Sequence, residues 1–370
     1  MTINTFSHTA YIVKVHYQLI AMFSIACLMT CILIYMLCYM LYKKSYEKKY
    51  VKWRIITDKL IQKAVFYWDE DEEETEKATT IPVTARAQKL MRNRHFRRLL
   101  TEEIQSAKKN ITGTAADNLK QLYLQLGLDR YALKSLKSPL WHIKAKAIQE
   151  LTLMEMKEYE KHLFPFTNYQ NEFVRMEAQT AMVQFYGFEG LKFLDIISYP
   201  ISDWQQIKLL QQLSLMPPAD ISFDGWFKSS NHSVVVFALK LARNYHRFDL
   251  HDSILSRLDH PSALVRQEAI LCLREIYTDG TSDELIKRFL KEDIKNQLMM
   301  IKAMQHIGSE RDVLFLLDLL DNENDEIKLS AARALAHNGK IGLESLERHA
   351  ESGDATLNQM VMQIKGELAA

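Results

Sequence analysis

HPSALVRQEAILCLREI, running from His260 to Ile276, is the stretch on which the fold turns. Its apolar residues fall at helical spacing, a branched aliphatic (Val265) precedes a cation (Arg266), and Ala269 stands where a neighbour must approach closely. The same phrase returns as IKAKAIQEL at Ile143 to Leu151, VRMEAQTAM at Val174 to Met182 and IKLSAARAL at Ile327 to Leu335. The pairs Ile143-Lys144, Val174-Arg175, Ile207-Lys208, Val265-Arg266 and Ile327-Lys328 lie 31, 33, 58 and 62 residues apart. The two long intervals are close to two periods each, and SVVVFALKLA (Ser233 to Ala242) and NQLMMIKAM (Asn296 to Met304) supply the missing units. A second helix follows each break, as in GLKFLDII, DSILSRL, DELIKRFL and DVLFLLDLL. Two helices per roughly 31 residues, neither able to bury its apolar face alone, predict a stacked α-solenoid.

The tetratricopeptide pattern and the ankyrin turn are not found at a fixed phase. The phrase at His260 to Ile276 resembles HEAT repeats of the short bacterial type, and the resemblance extends over about Ser138 to Leu368 in six to seven units. The unit starting near Asp203 departs most, with Pro217-Pro218 and a longer loop to Trp226. LYLQLGLDRYALKSLKSPLWHIKAKAIQEL, Leu122 to Leu151, is similar to membrane-anchored HEAT-repeat proteins of Bacteroidetes-type bacteria. That resemblance implies a partner among membrane glycosyltransferases that make surface polysaccharide.

Ahead of the repeats, Leu19 to Tyr42 reads LIAMFSIACLMTCILIYMLCYMLY, 24 residues without a charge. At about 1.5 Å per residue such a helix crosses a hydrocarbon core of ~30 Å. A cleaved signal peptide fits poorly, because only Lys14 precedes the run and the run is long. Lys43, Lys44, Lys48, Lys49, Lys52 and Arg54 follow it against Glu47, so the positive-inside rule puts the repeats in the cytoplasm and the N-terminus outside. Apolar residues from Ile55 to Trp68 keep helical spacing and continue this helix or start another. Asp69 to Glu76 (DEDEEETE) then reads as a solvated linker with Lys77 to Thr84. Ala85 to Lys109 is strongly basic, with Arg94, Arg97 and Arg98 on one expected amphipathic helix, and Thr114 is expected to cap the next.

The expected fold class is therefore all-α: an N-terminal transmembrane helix followed by a HEAT-like α-solenoid of six to seven helical-hairpin repeats. Its segments are an extracytoplasmic N-terminus (1–18), the span (19–42), a juxtamembrane helix and acidic linker (43–84), a basic helical segment (85–137) and the repeat domain (138–370). The net charge of +1 averages unlike parts. Residues 1–138 carry 22 Lys and Arg against 13 Asp and Glu, whereas Pro139 to Ala370 carry 25 against 33. An acidic array argues against nucleic acid as a partner, since phosphate attraction supplies most of such affinity.

Catalytic motifs are not found: no GxSxG, phosphate-cradling glycine loop or dinucleotide fingerprint occurs, and the chain has only 11 glycines and 7 prolines. No cofactor, metal or catalytic residue is expected. His306 and His337, 31 apart and each two residues before a glycine, suit helix C-termini rather than a metal. The repeated cations Lys144, Arg175, Lys208, Arg266 and Lys328 are expected to tie each helix to an adjacent loop. Trp141, Trp204 and Trp226 are the candidate partner contacts, and Lys43, Lys44, Lys48, Lys49, Arg94, Arg97 and Arg98 the candidate membrane or anionic contacts. The function expected is a non-enzymatic, membrane-anchored scaffold at the inner membrane that binds a protein. Two alternatives stand beside it: a HEAT-like lyase or protein-modifying enzyme subunit, and a membrane-sensing regulator using the basic helix at 85–109.

Overall fold

The computed structural model describes residues 3–67, 80–213, 221–352 and 355–369, with side chains from Met22 onward except at 352, 355–357, 368 and 369. Trp68, the acidic run Asp69 to Glu76 and Pro217-Pro218 lie outside these residues. Every regular element among the described residues is helical. The chain divides into two compact units, Met1–Lys134 and Ser135–Ala370.

The first unit is built on α1, which runs unbroken from Ile3 to Val65. Its apolar portion from Met22 to Tyr42 is exposed along its whole length. Below that, the helix acquires a packed face: Thr57, Leu60 and Ala64 are buried. The basic segment forms two helices, α2 (Ala85–Leu90) and α3 (Arg94–Asn110), where the sequence suggested one. Met91 closes the first, and Asn93 caps the second by accepting from His95 N and Phe96 N. α3 and α4 (Thr114–Gln125) bury Phe96, Leu100, Ile104, Leu119 and Leu122 against the lower part of α1. Trp53 meets Phe96 edge-on at 6.2 Å and Tyr46 meets His95 at 6.1 Å. Gln125 seals the entry of the chain into α2, donating to Ile81 O at 2.9 Å and accepting from Ile81 N at 3.1 Å. Thr114 is the first residue of α4 rather than its cap; Gly113, at φ +72°, takes that place because the left-handed backbone there disfavours any side chain.

The second unit is the repeat array. Seven long helices follow one another, the first three and the last four packed closely as neighbours: Trp141–Leu153, Glu172–Tyr186, Asp203–Gln212, His232–Asn244, Ala263–Glu275, Ile294–Ile307 and Asp325–His337. A shorter helical piece follows each, several of them finishing in a 3₁₀ turn such as Ser256–Asp259 or Phe289–Lys291; most pack onto the next long helix, whereas Gly187–Asp195 and Gly339–Ser352 pack back on the helix they follow. The N-caps are Leu140, Asn171, Ser202, Asn231, Ser262, Asp293 and Asn324, so the period is 31 residues with one step of 29.

Counting from each cap shows why the sequence repeats. The third residue after the cap points into the seam: Val174, Val234, Val265 and Ile327 are all buried. The seventh is alanine in five of the seven helices (Ala147, Ala178, Ala238, Ala269, Ala331), each almost inaccessible, which lets neighbouring helix backbones approach. In the third helix the register differs from the sequence reading by two residues. The seam positions are Gln205 and Gln206; Ile207 is exposed, and Lys208 pairs across to Glu177 at 3.7 Å. Gln205 replaces the aliphatic by donating to Met176 O at 3.1 Å, which satisfies part of its buried amide.

Two glycines set how closely the second layer sits. A Cβ on Gly190 would overlap the Met182 carbonyl, and one on Gly342 the Leu335 carbonyl. Cys272 lies in the same core, its thiol pushed up to about 12 by burial, so it is a packing residue and not a nucleophile.

Candidate interaction surfaces

In five of the seven long helices the fourth residue after the cap reaches back to the chain segment that precedes it. Lys144 Nζ donates to Leu136 O at 2.7 Å, Arg175 Nη1 to Tyr169 O and Gln170 O at 2.8 and 2.9 Å, and Arg266 Nη1 to His260 O and Pro261 O at 2.9 and 3.2 Å. Gln206 and Gln297 make the neutral version, donating to Ile201 O and Phe289 O. These side chains occupy carbonyls that a loop would otherwise leave to water, and a charged donor makes each bond worth about 1.5–3 kcal/mol. Lys328 instead lies 3.8 Å from Asp325 in its own first turn.

Arg97 behaves identically in the first unit. Counted from its cap Asn93 it is the fourth residue, and its Nη1 donates to Met91 O at 2.6 Å and Arg92 O at 3.1 Å. Its guanidinium also stacks 4.1 Å over the Tyr131 ring. Arg97 is thereby a structural tie and not a free anionic contact. Arg94 is exposed, Arg98 is exposed and reaches Glu102 at 3.0 Å, and Lys43, Lys44, Lys48 and Lys49 are all exposed.

The three tryptophans separate sharply. Trp226 is 7% exposed, packs edge-on against Phe223 at 5.3 Å and donates its indole N–H to Asp195 Oδ1 at 2.9 Å. It belongs to the core between hairpins, because the short helix Asp224–Phe227 turns that face inward. Trp141 and Trp204 are 45% and 68% exposed. They sit one and two residues past their caps, at the N-terminal edge of the stacked helices.

That edge carries more than the two indoles. Phe173, Leu264 and Ile294 occupy the same first or second positions of their helices and are exposed, and Phe173 stacks on Trp141 at 5.1 Å. The result is a broken apolar ridge, nearly one large side chain per repeat. Sequence reasoning missed three of its members because an apolar residue beside a cap looks the same whether it points inward or outward. Their signal is a place one or two residues past the cap, visible only once the register is known.

The ridge is interrupted at the fourth helix, where Ser233 takes the position of Trp204 and Leu264. A cleft of about 710 Å³ opens there, lined by Ser202, Asp203, Gln206, Ser233, Lys240 and Glu268 among others. Lys240 Nζ bridges Asp203 Oδ1 at 3.0 Å and Gln206 Oε1 at 2.9 Å. Glu268 lies 3.0 Å from Arg243 Nη2, and burial still pushes its carboxyl above the usual range. Asp203 and Lys240 of this cleft are thus paired with each other, and Glu268 with Arg243 beside it.

His306 lies in the last turn of its helix before Gly308, which adopts the left-handed conformation at φ +67°; His337 Nδ1 donates to Arg333 O at 2.8 Å. Among the described residues, no three His, Cys, Asp or Glu side chains converge as a metal-ligand set.

Residues 251–336 match the family model described as HEAT repeats. Among solved structures, the chain is similar to an engineered protein at 15% identity, over 76% of this chain and 93% of that one, with a TM-score of 0.35. It is also similar to the complex of CpcE and CpcF of phycocyanin lyase from Nostoc sp. PCC7120 at 11% identity, over 80% and 100%, with a TM-score of 0.24. A third likeness is to microtubule polymerases with tumor overexpressed gene domain arrays, at 12% identity over 76% and 87%, with a TM-score of 0.26. At these scores none of the three bears on function. No curated protein matches the chain.

Proposed function

We propose that the protein is a non-enzymatic scaffold anchored in the inner membrane by α1, with the repeat array in the cytoplasm presenting its ridged edge to a protein partner. The observation that carries this reading is the ridge itself: Trp141, Phe173, Trp204, Leu264 and Ile294 stand exposed at the first or second position of their helices along one edge of the array. Exposed aromatics and aliphatics in one row are the composition of binding hot spots, and repeat arrays of this family type generally serve protein–protein interaction. The mutual pairing of Asp203 with Lys240 and of Glu268 with Arg243 favours binding over acid–base chemistry in the cleft. A membrane protein is the natural partner for an anchored array, and a glycosyltransferase is the class that the sequence resemblance suggests.

The test is co-purification of the full chain from membranes in mild detergent. A partner is expected to accompany the native chain and to be lost from the Trp204→Ala/Leu264→Ala variant, while Phe248→Ala, an exposed residue away from the ridge, retains it. A chain that returns alone, or a partner indifferent to the ridge, overturns the reading. A reporter fused after Ala370 tests the topology, and an external reporter contradicts it.

A further inference from the structure

We propose that Lys43, Lys44, Lys48 and Lys49 of α1 join Arg92, Arg94 and Arg98 around the start of α3 in one cationic belt that seats on the anionic lipid headgroups bordering the span. This rests on the reading of Leu19 to Tyr42 as a membrane helix and adds to it a surface that the span alone does not provide.

The geometry comes from α1 being continuous. Tyr46 lies one turn past Tyr42, a rise of about 6 Å, and the headgroup layer is roughly 5–8 Å thick on each side of the hydrocarbon core. Tyr46 is the residue whose ring meets His95 at 6.1 Å, and Trp53, two turns further, meets Phe96 at 6.2 Å. The start of α3 is therefore held at headgroup depth by ring contacts, although it lies far along the chain from the lysines. All seven cations are exposed, and the first turn of α3 contains no acid. Among the described acids of these segments, Glu47 is exposed on α1, Glu102 reaches Arg98 at 3.0 Å, and Glu103 follows it on α3. Arg97 takes no part, because the Met91 and Arg92 carbonyls and the Tyr131 ring hold it. A screening length of about 8 Å keeps the attraction local, so cations further down α1 such as Lys59, about 25 Å below Tyr42, do not share in it.

The occupant is a lipid surface because the belt abuts the apolar span directly and carries the opposite charge to anionic headgroups. Each basic residue near such a surface contributes roughly a fivefold bias towards it. The first unit is accordingly seated on the bilayer.

Hydrogen–deuterium exchange on the full chain in nanodiscs tests this. One set of discs is made of phosphatidylcholine alone and another of phosphatidylcholine with about one third phosphatidylserine. The peptide covering 91–98 is expected to exchange at least about fivefold more slowly in the anionic discs. High salt, or Arg94→Glu/Arg98→Glu, should abolish the difference, and Lys59→Glu should leave it intact. Equal exchange in both discs overturns the proposal, as does equal protection in neutral discs by millimolar inorganic phosphate, which would make the site one for free anions. If the chain fails to insert into discs at all, the span reading falls instead.

Discussion

Arg266 joins two successive repeats through one guanidinium: Nε donates to Glu292 Oε1 at 2.6 Å while Nη1 donates to His260 O at 2.9 Å. The second oxygen of Glu292 accepts from Asn296 Nδ2 at 2.8 Å, and the Glu292 side chain is only 3% exposed. Removing Arg266 strands a buried carboxylate. Arg266→Ala is expected to cost about 3 kcal/mol, and adding Glu292→Gln should restore part of it, since a neutral amide tolerates burial. Denaturant unfolding of the full chain in detergent, compared across the three proteins, checks both numbers.

Asp312 supplies a pH signature. It is fully buried, its Oδ2 accepts from Ser282 Oγ at 2.9 Å, and its Oδ1 has no hydrogen-bond partner. Desolvation pushes its carboxyl up to about 6, from 3.8. A folded-state value above the unfolded one means that the stabilising contribution is complete below about 4 and is lost as pH rises through 6. The cost of carrying the ionised group at pH 7.5 is at most about 3 kcal/mol. Asp312→Asn should therefore raise the melting temperature at pH 7.5 and change it little at pH 4. An equal effect at both values would contradict the assignment.

Tryptophans 204 and 226 should part company on mutation. Trp226→Ala removes a buried ring and leaves Asp195 without its indole donor, for an expected loss of about 3–5 kcal/mol. Trp204→Ala should change stability by less than about 0.5 kcal/mol, because that ring faces solvent. Thermal unfolding of the two variants side by side is sufficient.

Glycine provides a matched pair. Gly190→Ala forces the backbone away from Met182 O and should destabilise by about 1–3 kcal/mol. Gly280 has φ −94° and open space where a Cβ would stand, so Gly280→Ala should be neutral or slightly stabilising. Similar losses at both would mean that close backbone approach is not what Gly190 provides.

The array was legible because its signal is local and periodic. Val174-Arg175 and Val265-Arg266 place a seam residue and a loop tie next to each other, and both roles demand particular side chains. The third repeat misled for the same reason. Ile207-Lys208 imitates the pair two residues late, while the true seam is filled by Gln205 and Gln206, whose amides meet backbone carbonyls instead. The burial of Trp226 was not legible, since it depends on which way a four-residue helix turns. Nor was the packing of α3 on α1, which joins Tyr46 to His95 and Trp53 to Phe96 across distant sequence. Such contacts leave no period. Arg97 shows the complementary case: its offset from Asn93 carries the repeat's signature into the first unit, yet within a run of arginines it reads as surface charge.

Because α1 passes without a break from its apolar portion into the core of the first unit, it has no joint at which motion can be absorbed. A single alanine inserted after Tyr42 would turn Trp53, Leu60 and Ala64 by about 100° relative to everything above them. The helix is thus a drive shaft, and whatever grips its upper end sets the heading of the folded body fixed to its lower one.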